Sequence, residues 1–130
     1  MEAAATRMAR DGYAATGVKA ILTDAAAPYG SLYHHFPGGK AELGAAALRH
    51  SGAGFRELVE LYFPEGVDLV AAVSGFFAGA AAHLEATDYA DACPVATIAL
   101  ETASVIEPMR VAAAEVFESW LAVLDRRLRE

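Results

Sequence analysis

The chain has 130 residues, 55% apolar and 21% charged, with a formal charge of −7, 31 alanines, five prolines and one cysteine. That balance excludes a disordered chain, and a lone Cys93 excludes an internal disulfide and a multi-cysteine metal cage. The longest apolar run, residues 69–82, is 14 residues, short of the roughly 18 that a membrane span needs, and the N-terminus shows no basic-then-apolar leader. The expectation is a soluble, cytoplasmic, all-α protein, because alanine has the strongest helix propensity. Charge is uneven along the chain. Residues 1–50 hold five basic and four acidic groups, a net of +1, whereas residues 51–130 hold five and thirteen, a net of −8. Only the first part is suited to approach phosphate.

In chain order, a first helix is predicted over residues 1–10, with Met1, Ala4, Ala5, Met8 and Ala9 at helical spacing and Gly12 closing it. Thr16 is placed to cap a second helix over 17–24, whose inner face is Val18, Ile21, Leu22 and Ala25. Pro28 bars residue 27 from the α region and opens a short third helix ending near Phe36, with Leu32 and Phe36 inward. Two short helices joined by a tight turn make a helix-turn-helix. Pro37-Gly38-Gly39 breaks the chain and Lys40 opens a long fourth helix, with Leu43, Ala47, His50, Gly54, Leu58 and Leu61 along one face. After Pro64-Glu65-Gly66, a fifth helix over 67–86 carries Leu69, Val73, Phe76, Phe77, Ala80 and Leu84. A sixth runs over 94–104. The last starts at Glu107-Pro108 with the stripe Met109, Ala113, Val116, Phe117, Trp120, Leu121, Leu124 and Leu128.

Several side chains invite chemistry and give little. His34 and His35 are adjacent, about 100° apart on a helix, and no carboxylate follows at the spacing for a shared metal, so no metal is expected. His35 is expected to pack or cap. Cys93 has Asp88 and Asp91 as neighbours and no basic group, which opposes a reactive thiolate and favours a structural role. Pro37-Gly38-Gly39-Lys40 lacks the first glycine of a phosphate-binding loop and the hydroxyl after its lysine. No nucleophile–base pair or metal-ligand cluster is evident, so neither an enzyme nor a cofactor is expected. Gly52 and Gly54, mid-helix, point to close packing against the fifth helix rather than to a hinge.

The stretch Gly12-Tyr13-Ala14-Ala15-Thr16-Gly17-Val18, followed by Gly30-Ser31-Leu32-Tyr33-His34-His35-Phe36 and Lys40, closely resembles the DNA-binding head of TetR-family transcriptional regulators. Pro37-Gly38-Gly39-Lys40, Cys93-Pro94-Val95-Ala96 and Ala99-Leu100-Glu101 resemble the LmrA/YxaF branch of that family. The resemblance implies a three-helix head over residues 1–50, including the start of the linking helix, and a helical ligand-binding and dimerisation body over 51–130. It implies a homodimeric repressor on double-stranded operator DNA, released by a small apolar or aromatic effector. Residue by residue, it implies DNA contact by Thr16, Lys19, Pro28, Tyr29, Gly30, Ser31, Tyr33, His34 and Lys40. Thr16, Tyr33 and Lys40 would meet phosphate, and residues 28–30 would approach base edges. Phe76, Phe77, His83, Phe117 and Trp120 are the candidate pocket, on stripes that any helical core also requires. Family members run to about nine helices, of which seven are read here, so the body is expected to be incomplete. The alternative function is a small-molecule-binding helical module without effective DNA binding.

Overall fold

Glycine and proline set the helix boundaries in a computed structural model that describes residues 1–129; among these, seven helices form and no strand. α1 (Glu2–Asp11) ends on Gly12, whose φ of +80° favours glycine and whose N–H donates to the Met8 carbonyl. α2 (Val18–Asp24) starts after Gly17 without a side-chain cap. The expected cap, Thr16, instead turns back and donates its hydroxyl to the Gly12 carbonyl at 2.6 Å, closing the α1–α2 loop. α2 closes through Ala26 in the left-handed region, with Ala27 N–H bonded to Leu22 and Ala26 N–H to Thr23, the paired bonds of a Schellman motif. Ala25 is exposed at this turn, not on the inner face as expected.

α3 (Ser31–His35) follows after Pro28-Tyr29-Gly30 and buries Leu32. α4 (Gly39–Tyr62) opens one residue before Lys40, with the Glu42 carboxylate accepting from Gly38 N–H at 2.7 Å. α5 (Leu69–Ala86) begins two residues later than the pattern suggests. Asp68 supplies the cap, its carboxylate accepting from the Val70 and Ala71 amides. α6 (Pro94–Thr102) and α7 (Glu107–Leu128) each carry proline in the first turn, where the missing N–H is not needed.

The core is organised on α4 and α7. Gly52 lets the two backbones approach: a Cβ there would lie 2.5 Å from both Val116 methyls. The Trp120 indole N–H donates to the Gly52 carbonyl at 2.8 Å across the same contact. The close packing expected of this glycine is therefore against α7, not α5. One continuous core runs from Met8, Leu22 and Leu32 through Leu43 and Leu48 to Ile98, Met109 and Trp120, crossing residue 50 without a break. A smaller cluster of Val59, Phe63, Ala72 and Val123 lies at the far end of α4.

Three predicted stripes are corrected. On α4, Leu43 and Ala47 are buried, but His50, Gly54, Leu58 and Leu61 are exposed; the inward line runs instead through Leu48, Gly52, Phe55 (half-buried) and Val59 to Phe63, just past the helix end. On α5 only Ala72 is buried, while Val70 is 77% and Phe77 67% exposed. The 18 residues of α5, with mean hydropathy 1.4, have the length and composition of a membrane span. The stretch free of charged and histidine side chains ends before His83, four residues short of the end of the helix. On α7, Phe117, Leu121 and Leu128 are exposed, and Val123 takes the inward place.

Candidate nucleic-acid interface

The helix-turn-helix leaves its polar and aromatic residues outside. Lys19 on α2, Pro28, Tyr29 and Gly30 before α3, and Tyr33 and His34 on α3 are all exposed, with Tyr29 at 64% and Tyr33 at 57%. Leu32 alone of α3 is buried and anchors that helix to the head. His35 is exposed rather than packed, its ring edge-on to His34 with centroids 4.9 Å apart. Gly30 has an ordinary φ of −69°, and a Cβ there would meet nothing within 4 Å. The fold does not demand glycine at this position. Ser31 is half-buried, and its hydroxyl donates to the Pro28 carbonyl at 2.7 Å, bracing the entry to α3.

Tyr33 runs to the start of α4, where its ring edge would lie 3.5 Å from a Cβ on Gly39. Lys40 is the next residue along α4. The Lys40 ammonium donates to the Ala14 carbonyl at 3.4 Å and lies 4.4 Å from the centroid of the Tyr13 ring. Burial first, and the Glu101 charge second, push the Tyr13 phenol above its ordinary pKa, so the ring under the ammonium is neutral. Thr16 departs from the expected set: its side chain is 1% exposed and committed to Gly12, so its hydroxyl does not face a partner.

The other cations of residues 1–50 are matched by carboxylates. Arg7 pairs with Asp24 and Asp11, Arg10 with Asp91 at 2.7 Å, and Arg49 with Glu115 at 2.6 Å. Among the described residues, Lys19 and Lys40 are the two cations of the head without an ion pair. Hydrogen bonding from Arg7 holds the Asp24 carboxyl below its ordinary pKa, and Arg10 does the same for Asp91. Arg10–Asp91 joins α1 to the stretch before α6. A second link of this kind escaped the sequence reading altogether: the Glu101 carboxylate on α6 accepts from the backbone N–H groups of Tyr13 and Ala14. Those partners lie 88 and 87 residues apart in the chain, beyond any local signal.

The candidate pocket residues line neither of two open grooves found among the described residues. Phe76 is half-buried and stacks edge-on with Phe55, Tyr62 and Phe77; Phe55 and Phe117 contact Trp120, which is itself core. Phe77, His83 and Phe117 are exposed. An open groove of about 420 Å³ lies between α4 and α7, walled by Arg49, Arg56, Glu60, Glu115 and Ser119 and by none of those aromatics. Cys93 is half-buried against the core at the N-cap of α6. No cluster of three potential metal ligands occurs among the described residues.

Comparison with known proteins agrees with the all-helical fold and its helix-turn-helix. Residues 1–47 match the model for bacterial regulatory proteins of the tetR family, and residues 70–130 match the C-terminal domain of LmrA/YxaF-like transcriptional regulators. The chain is 40% identical to the regulator YxaF of Bacillus subtilis over 92% of its own length and 62% of YxaF. It is 32% identical to the regulator LmrA of the same organism, over 98% of its length and 68% of LmrA. It thus spans about two thirds of the length of these relatives. The crystal structure of a regulatory protein TetR from Rhodobacter sphaeroides superposes with a TM-score of 0.84 at 26% identity, over 98% of this chain and 68% of that one. These relatives are transcriptional regulators and not enzymes. The chain belongs to the TetR family of transcriptional regulators, in its LmrA/YxaF-like branch.

Proposed function

We propose that the protein is a cytoplasmic repressor that binds palindromic operator DNA as a homodimer and is released by a small apolar or aromatic effector. The division of labour is a head over residues 1–50 and a ligand-binding, dimerising body over 51–130. The observation that carries the DNA part is the exposed set on the helix-turn-helix. Tyr29, Tyr33 and His34 stand free of the core, and Lys19 and Lys40 are left unpaired where every arginine of the head is neutralised. Hydroxyls and cations at such positions meet phosphate and fix register, while residues at the start of the recognition helix read base edges. Pro28, Tyr29 and Gly30 occupy that start, and Ser31 braces it. Gly30, not required by the fold, admits close approach of a groove wall. Tyr29 offers an apolar face to a thymine methyl. The effector and repressor roles draw on kinship with LmrA and YxaF; of the candidate pocket residues, Trp120 is buried and Phe76 half-buried.

The test is binding to a short duplex enriched from a randomised library, measured across a salt series, with light scattering for oligomeric state. A dimer that prefers the enriched duplex is expected. Lys40→Ala should lower the slope of log affinity against log salt by about one, and Tyr29→Ala should change the preference among duplex variants. Equal, feeble binding of every duplex at low salt would overturn the reading.

A further inference from the structure

The last turn of α6 reaches across to the loop between α1 and α2. Glu101 accepts from Tyr13 N–H at 2.6 Å through Oε2 and from Ala14 N–H at 2.7 Å through Oε1. A carboxylate held by two consecutive backbone donors forms charge-assisted bonds in a fixed geometry, unlike a mobile surface ion pair. Gly12 makes room for it: a Cβ there would lie 3.0 Å from Oε2. Lys40 grips the same two residues, through the Ala14 carbonyl and the Tyr13 ring. One carboxylate from α6 and one ammonium from α4 therefore hold a single two-residue segment.

We propose that Glu101 is a positioning residue for DNA contact: it fixes the Tyr13–Ala14 segment on which the Lys40 ammonium is seated. The inference rests on the DNA-binding reading above and adds a body residue to it. Without the Glu101 carboxylate, two amides lose their acceptor, the loop moves, and the acceptor and ring that aim Lys40 move with it. α6 thereby becomes the element of the body whose position Lys40 registers directly.

The test uses the full chain with Glu101→Gln, Glu101→Ala, Lys40→Ala and the Glu101→Ala/Lys40→Ala double variant, each checked for helix content and Tm. The first readout needs no DNA. Lysines are acylated with an N-hydroxysuccinimide ester, and Lys40 is quantified by mass spectrometry against Lys19 in the same sample. The Lys40 to Lys19 rate ratio should rise several-fold in both Glu101 variants, and an unchanged ratio overturns the proposal. The second readout is affinity for the enriched duplex. Glu101→Ala should weaken it several-fold where Lys40 is present and hardly at all in the Lys40→Ala background. Equal losses in both backgrounds would show that Glu101 acts otherwise and overturn the proposal. Should Glu101→Ala not fold, the Gln variant decides, paired with Lys40→Ala in the same way. Absence of duplex binding by the unmodified chain would overturn the DNA reading and the positioning role with it, while the acylation ratio still decides whether Glu101 seats Lys40.

Discussion

Gly52 and Gly54 lie two residues apart in α4 and answer to opposite demands. A methyl on Gly52 would collide with Val116, whereas a methyl on Gly54 would meet nothing within 4 Å. Gly52→Ala should therefore destabilise by about 1–3 kcal/mol, the usual range for overpacking. Gly54→Ala should stabilise by up to about 1 kcal/mol through helix propensity. Denaturant midpoints of the two variants check both signs at once. The sequence shows two glycines in a helix but not which faces a neighbour, since that depends on how α7 lies against α4. Thr16 and Glu101 make the same point for the site. A threonine before a helix is a sound cap by local rules, yet its hydroxyl is taken by the Gly12 carbonyl. Glu101 reads as an exposed helix-end carboxylate until α6 is docked on the head. Tyr29, Tyr33 and His34 were legible as outward positions because Leu32 fixes the inward one.

Helix boundaries were readable almost throughout, because Gly12, Pro28, Pro64, Pro94 and Pro108 act on their own backbone. The inward faces were less so. In alanine-rich α4 small apolar residues lie on several sides, so beyond Ala47 the line through His50, Gly54 and Leu58 competes on paper with the true one through Leu48, Gly52, Phe55 and Val59. α5 is the extreme case. Its apolar residues are spread around the helix, only Ala72 is buried, and no single stripe marks in advance which side is inward. Exposed apolar surface on this scale drives association in water. The 130-residue chain should self-associate, and Val70→Lys with Phe77→Lys should reduce that association in light scattering. Because both side chains are mostly exposed, each change should alter folding stability by no more than about 0.5 kcal/mol.

At the scale of the whole molecule, head and body share one core and are joined at the surface by Arg10–Asp91 and Glu101. The acid side of that joint has a pH signature. Hydrogen bonding from Arg10 lowers the Asp91 pKa in the folded chain. Its contribution is therefore present above the unfolded-state value, about 4, and fades as pH falls through the folded one. Asp91→Asn should lower the urea midpoint slightly at neutral pH, and the difference from the unmodified chain should vanish in acid. The contact between Trp120 and Gly52 has an optical consequence. Trp120 is the chain's single tryptophan, and its indole is buried and hydrogen-bonded to the α4 backbone. Its fluorescence thus comes from one place, the crossing of the two longest helices. A sliding or tilting of α4 against α7 would wet the indole and redden its emission, so the unlabelled chain carries its own gauge of that motion.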